Sequence, residues 1–154
     1  MPRRFPLQPL LDLANERADA ATQRLALLKQ RWQMQEEKLK QLFNFQAEYR
    51  QRLSDTLQHG VEMAKVHDFR AFLQKLELAI QQQQLEIQKA KFNWEEGQHA
   101  WTEERRKLKT FEILRQRHER GETHRENRLE QRDQDEYARN IFNRKRGEED
   151  SSDK

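Results

Sequence analysis

Two stretches of the chain place residues that mostly avoid water at alternating four- and three-residue steps. The first reads Leu7, Leu11, Ala14, Ala18, Ala21, Leu25, Leu28, Trp32, Gln35, Leu39, Leu42, Gln46, Tyr49 and Leu53. The second reads Phe69, Leu73, Leu76, Ile80, Gln83, Ile87, Ala90, Trp94, Gly97, Trp101, Glu104, Leu108 and Phe111. A sustained 3.5-residue period keeps one narrow seam of a helix turned toward a partner, so it predicts a left-handed coiled coil and not a globular core. Leu11, Leu25, Trp32, Leu39 and Leu53 take heptad position a in the first stretch, with Leu28, Leu42 and Tyr49 at d. In the second, Leu73, Ile80, Ile87, Trp94, Trp101 and Leu108 take a, and Phe69 and Ala90 take d.

Between the two lies SDTLQHGVEMAKVHD, residues 54–68, where Gly60 and its polar neighbours interrupt the repeat. A turn is the economical reading, with Asp68 as N-cap of the helix that follows. Short connections favour antiparallel neighbours. The prediction is therefore an all-α fold: a long antiparallel two-helix coiled-coil hairpin with a charged C-terminal helical extension. Its parts are an N-terminal tail (1–6), a first coiled-coil helix (7–57), a turn (58–66), a second coiled-coil helix (67–115), a charged extension (116–146) and a disordered tail (147–154). Each arm of about 50 residues would span roughly 75 Å at ~1.5 Å per residue.

The register follows from side-chain volume. If paired residue numbers sum to 122, the chain folds at about Gly60 and Val61 and every a residue meets a d residue. Leu53 then meets Phe69, Tyr49 meets Leu73, Leu42 meets Ile80 and Leu11 meets Phe111. The bulky residues find small partners: Trp32 opposes Ala90, Trp101 opposes Ala21 and Leu25 opposes Gly97. Large against small is how an interdigitated core avoids voids. Gln35, Gln46, Gln83 and Glu104 interrupt the seam, either to fix alignment at a cost in stability or as residues tolerated near solvent.

Composition narrows the function. Charged residues make up 37% of the chain and hydrophobic ones 34%, a balance that suits a long helix better than a packed globule. All three prolines, Pro2, Pro6 and Pro9, precede the established repeat. No segment has the roughly 20 apolar residues of a membrane span, and the start lacks the apolar stretch of a secretion signal, so direct membrane insertion is not expected. The absence of cysteine removes disulfides and thiolate chemistry and permits a reducing cytoplasm. A net charge of +3 from 30 basic and 27 acidic residues, finely mixed, gives phosphate no concentrated basic face, so nucleic acid is not an expected partner.

Chemistry-bearing patterns are lacking. His59, His67, His99, His118 and His124 form no i, i+4 pair and no zinc spacing. There is no glycine loop for a phosphate and no nucleophile motif. Glu95 and Glu96 are adjacent on a helix and point in different directions. The chain is expected to be non-enzymatic, with no cofactor, no metal and no catalytic residue.

Phe45, Phe72 and Ala79 fall at position g, beside the seam. An antiparallel hairpin brings g against g, so Phe45 and Phe72 share one flank near the turn, where Leu42, Tyr49 and Leu76 widen the apolar stripe. Such a patch on a charged surface is a candidate protein docking site. The other reading is that the phenylalanines cap a thin core. Truncating both to alanine separates the two: docking predicts lost partner binding with melting almost unchanged, and capping predicts a marked melting loss.

Four segments carry a resemblance over nearly the whole chain: FPLQPLLDLANERADAA, LKQLFNFQAEYRQRL, FRAFLQKLELAIQQQ and ENRLEQRDQDEYAR. In order and at this total length they resemble the FliJ family, small cytoplasmic proteins of the bacterial flagellar type III export apparatus. The resemblance implies an antiparallel coil similar to the central stalk of rotary ATPases, seated in the pore of the hexameric flagellar export ATPase. It implies contact with the cytoplasmic domain of the export gate membrane protein, and a role as a general export chaperone that engages other export chaperones. Carried over by position, the gate-facing residues are Leu42, Phe45, Tyr49, Phe72, Leu76 and Ala79, the same set that position g and the seam edge single out. Lys38 and Gln83 lie along this surface and depart from the family pattern. The implied protein is monomeric alone and sits in the cytoplasm, peripherally at the inner membrane at the flagellar base. A stalk of a related injectisome and a generic coiled-coil scaffold are the alternatives.

Overall fold

The computed structural model describes residues 1–60 and 62–153. Two helices, α1 (Gln8–Gln58) and α2 (Met63–Ser152), account for nearly all of them, and no strand occurs among the described residues. The all-α two-helix coiled coil expected from the repeat is the observed fold class. The helix α1 opens with Pro9 in its first turn, where a missing N–H costs nothing. It closes where His59 N–H donates to the carbonyl oxygens of Asp55 at 3.2 Å and Thr56 at 3.3 Å. Gly60 follows at φ +71°, the left-handed conformation that ends helices and that a Cβ disfavours.

The second helix begins earlier than its sequence suggests. Asp68 is not its N-cap: α2 starts at Met63, and the Glu62 carbonyl already accepts from the amides of Lys65 (3.1 Å) and Val66 (3.4 Å). Burial supplies the reason, because Val66 is 3% exposed and its packing draws the first turn into the seam. Of the expected fold point, Gly60 makes the turn and Val61 lies outside the described residues. At the other end, α2 passes through Gly121 and Gly147 without a break to Ser152, where the sequence suggests a disordered tail; Lys154 lies outside the described residues. An exposed glycine costs a helix only about 1 kcal/mol, less than proline would. The hydroxyls of Ser151 and Ser152 also bond the last turn, donating to the Glu148 carbonyl oxygen at 3.0 and 2.9 Å.

The chain divides into two compact units. One, Glu16–Arg105, contains the turn. Within it the helices run antiparallel: Trp101 Nε1 donates to Thr22 Oγ1 (3.0 Å), Gln83 bonds Gln35, and Tyr49 stacks near Phe69. All of these contacts fall within about one helical turn of the expected register, which is the reach of a knob in a four-residue hole. Leu28 and Ile80 are each 5% exposed. Leu25, Trp32, Leu39, Leu53, Phe69, Leu73, Ile87, Ala90, Trp94 and Trp101 are half-buried, as in any two-stranded seam open along both edges.

Two polar details fix this unit. Gln83 Nε2 donates to Gln35 Oε1 at 2.7 Å and to the Gln35 carbonyl oxygen at 2.9 Å. The Gln83 amide thus spends its donors on Gln35 across the helices, which favours one alignment over its slipped neighbours. The Trp32 indole reaches one turn past Ala90 to lie 5.2 Å from the Trp94 ring, with its Nε1 donating to Glu36 Oε1 at 3.1 Å. An indole is too large for the seam and its N–H seeks the polar rim.

The other unit comprises Met1–Asn15 with the α2 residues from Arg106 onward. Leu11 is its best-buried side chain at 1% exposure, and Leu108 and Phe111 are half-buried. Past Leu114 the seam loses its apolar character but keeps its period, with Arg115, His118, Glu122 and Arg125 all partly buried. The N-terminal segment lies against them. The Arg3 amide donates to Glu122 Oε2 at 3.2 Å, His118 Nε2 lies 2.9 Å from the Arg3 carbonyl oxygen, and Phe5 stacks on His118 at 5.7 Å. The Arg3 amide, followed by the charges of Arg125, His118 and Arg3, holds the Glu122 carboxyl below its ordinary pKa against the opposing effect of desolvation. From 127 to 153 every residue is exposed.

Candidate docking surface beside the turn

Heptad geometry sets two flanks on the unit that contains the turn. Position g of both helices borders one flank and position e the other. On the e flank a groove is lined by the polar or charged residues Gln46, Arg50, His67, Arg70, Gln74 and Glu77 together with Ala71 and Leu73. The g flank carries Phe45, Phe72 and Ala79. The two flanks differ in that the g side gathers Tyr49 and Phe72 into one aromatic stack, whereas the exposed Phe43 and Leu57 of the e side stand apart along α1.

The six residues singled out by sequence take different places on that flank. Leu76 is 9% exposed and belongs to the seam. Leu42 and Tyr49 are half-buried at its edge, and Ala79 is exposed. Phe45 is 51% exposed and Phe72 39%, too open for core residues. The structure brings Tyr49 and Phe72 together, with ring centroids 4.3 Å apart and planes tilted by 39°. Aromatic pairs in this range contribute about 0.5–1.5 kcal/mol beyond their buried area. Phe69 adds a third ring 6.4 Å from Tyr49. The Arg52 guanidinium lies 5.2 Å over the Tyr49 ring while its Nη2 bonds Glu48 Oε1 at 2.9 Å. That ion pair is exposed on both sides, so its role is to orient Arg52 more than to stabilise.

Sequence reading missed part of this surface. An open groove of about 570 Å3 runs from Tyr49 and Phe72 toward the turn, lined further by Thr56, Lys65, Asp68 and Phe69. Its cause is local: the position d that follows Tyr49 is Thr56, which is too small to fill the seam that Leu or Phe fills elsewhere. A d-position threonine beside three aromatics was the available signal. Leu57 and Met63, 52% and 78% exposed, add apolar surface near the turn. No group of metal-binding side chains occurs among the described residues, and no helix there is long and apolar enough to cross a membrane.

Comparison with known proteins places this architecture. A solved structure from Chlamydia trachomatis, CT670, described as a YscO homologue, superposes with a TM-score of 0.51 at 18% identity, covering 91% of this chain and 95% of that one, and so shares the fold. Flagellar FliJ proteins of Salmonella typhi and of Escherichia coli (strain K12) are each 30% identical over 139 residues, covering 90% of this chain and 95% of the relative. Residues 3–147 match the family described as the flagellar FliJ protein. With the seam, the turn, all of α1 and all but the last few residues of α2 inside the matched span, the chain belongs to the flagellar FliJ protein family.

Proposed function

We propose that this protein is the stalk-like coiled coil of a flagellar protein export apparatus, which joins the hexameric export ATPase to the cytoplasmic domain of the export gate and serves as a general export chaperone. Family membership supports the export setting. The observation that carries the gate contact is the aromatic g flank, where Phe45 and the Tyr49–Phe72 stack lie open on a surface otherwise dense in charge. A contiguous apolar patch of this kind is where protein partners anchor.

In this reading the unit that contains the turn presents Leu42, Phe45, Tyr49, Phe72, Leu76 and Ala79 to the gate, and the unit that holds both termini enters the ATPase ring. The protein is monomeric alone, works in the cytoplasm at the flagellar base, and catalyses nothing itself. Its role is to hold two machines in a fixed relation, which a packed coil does by resisting bending and twisting. Immobilised full-length protein is expected to retain both purified export ATPase and purified gate cytoplasmic domain. Failure to retain either, from a sample that is helical by circular dichroism, refutes the assignment.

A further inference from the structure

The face of α2 turned directly away from α1 is position f of its heptads, which in a two-stranded coil ordinarily meets only water. There the chain places Ala71, Leu78, Leu85 and Phe92 at seven-residue spacing. Leu78 is 62% exposed, Leu85 53% and Phe92 59%. These three large side chains make a row of about 21 Å that the seam does not use, on a different face from the aromatic g flank. Position b, on one side of the row, holds Gln74, Gln81, Gln88 and then Glu95; position c, on the other, holds Lys75, Gln82, Lys89 and then Glu96. Lys75 and Glu96 make no ion pair among the described residues, whereas Lys89 lies 3.8 Å from Glu86.

We propose that this face pairs with the same face of a second copy of the chain, antiparallel about a two-fold axis through Leu85. The flanking charges select both partner and alignment. Two antiparallel helices joined along f set b against b and c against c. The apolar rows can meet in three registers. In one, Leu78 faces Leu85, and Lys75 falls opposite Lys89. In another, Leu85 faces Phe92, and Lys89 falls opposite its own copy. In the third, Leu85 faces its own copy, Leu78 faces Phe92 on each side of the axis, and Lys75 falls opposite Glu96 twice, with Gln81 opposite Gln88. Only this register brings the unengaged opposite charges together and sets no like charges face to face. Parallel pairing sets b against c and brings Glu95 against Glu96 twice, so direction is selected as well. The face is therefore self-complementary, as an isologous interface must be. Three large side chains per copy fall short of the ~1,600 Å2 buried in a stable complex, so the association is weak and the chain is monomeric when dilute. The g flank stays open in the pair, which makes this inference independent of the gate contact.

Sedimentation equilibrium of the full-length chain at fixed salt, taken up to about 1 mM, is expected to show a monomer–dimer equilibrium with Kd on the order of 0.1 mM. Leu85→Glu sets two like charges on the axis at no cost in helix propensity, and is expected to abolish the dimer with an unchanged circular dichroism spectrum. Lys75→Glu and Glu96→Lys are each expected to raise Kd about fivefold, and the two together to restore it to within about twofold of the wild type, because the pair is then only reversed. The chain has no cysteine, so Leu85→Cys is expected to crosslink two copies on mild oxidation, and Leu78→Cys to do so much more slowly. A wild type that stays monomeric up to that concentration overturns the proposal, and so does a dimer that Leu85→Glu leaves intact. A dimer that the charge exchange does not restore, or that Leu78→Cys crosslinks faster than Leu85→Cys, overturns the two-fold pairing through Leu85.

Discussion

Gly97 is the one position where the seam leaves no room for a Cβ, and the consequence can be worked out. A Cβ built there would lie 2.6 Å from Leu28 Cδ1 and 3.6 Å from Leu25 Cδ1. Leu28 is only 5% exposed, so its methyl cannot simply swing into solvent. Two effects oppose each other in Gly97→Ala. Removing a glycine from the middle of a 90-residue helix gains about 1 kcal/mol. Forcing the Leu28 methyl to retreat by most of an ångström is overpacking, at about 2 kcal/mol within the usual range of ~1–3. The net expectation is a loss of about 1 kcal/mol. Leu28→Ala by itself is expected to cost about 2–3 kcal/mol, the low end for a leucine because a two-stranded seam can close on the vacated space. With the methyl gone, the clash disappears and the helical gain remains, so Gly97→Ala made in the Leu28→Ala protein is expected to stabilise by about 1 kcal/mol. The sign therefore reverses, with a coupling of about 2 kcal/mol. Urea unfolding at 10 °C, followed by far-ultraviolet circular dichroism and by the fluorescence of the Trp32–Trp94 pair beside the site, measures all four corners of the cycle. If Gly97→Ala costs the same in both backgrounds, close approach is not what keeps this position glycine.

Three further outcomes follow from half-buried polar groups of the seam. Replacing both Gln35 and Gln83 by leucine is expected to raise stability by about 1–2 kcal/mol while loosening alignment, detected as slipped crosslinks or higher-order species in sedimentation; replacing Gln83 alone strands the Gln35 side chain and is expected to destabilise. Glu104 sits at a seam position with Oε2 buried and unpartnered, so Glu104→Met is expected to stabilise by about 1 kcal/mol in thermal melts, and a loss refutes the view that this carboxylate is poorly solvated. The Glu122 carboxyl is held below its ordinary value of 4.5, so its bond to the Arg3 amide contributes fully above that pH and is lost as pH falls through the lowered folded value. Amide exchange at Arg3 is accordingly expected to speed up on acidification in the wild type and to be fast and independent of that titration in Glu122→Gln.

Seam membership was legible in the sequence. Each residue of the two apolar runs, from Leu7 to Leu53 and from Phe69 to Phe111, is buried or half-buried, including the glutamines and Glu104. This follows because helix geometry alone decides which positions share a face, whatever they pair with. The antiparallel direction was legible too, and Leu25 does lie against Gly97, but the matching of large residues to small did not foresee that the Trp32 ring meets Trp94. The difference between Phe45, exposed at g, and Leu76, buried at d, was also implicit in the spacing.

Only the tertiary structure decided where polar groups find partners. Period identifies Gln35 and Gln83 as seam residues, but their mutual bond depends on which turn of one helix faces which turn of the other. The seam continues through Arg115, His118, Glu122 and Arg125 because Arg3 and Phe5 lie across from them, and hydropathy is blind to a seam built from hydrogen bonds. The start of α2 at Met63 came from the burial of Val66, a contact between helices that outweighs the capping preference of Asp68. The groove at Thr56 likewise exists only once α2 supplies Phe69 and Phe72 as its far wall. Periodicity is a property of one helix and can be read from the chain; a vacancy or a hydrogen bond between helices is a property of the pair, and it exists only when both are in place.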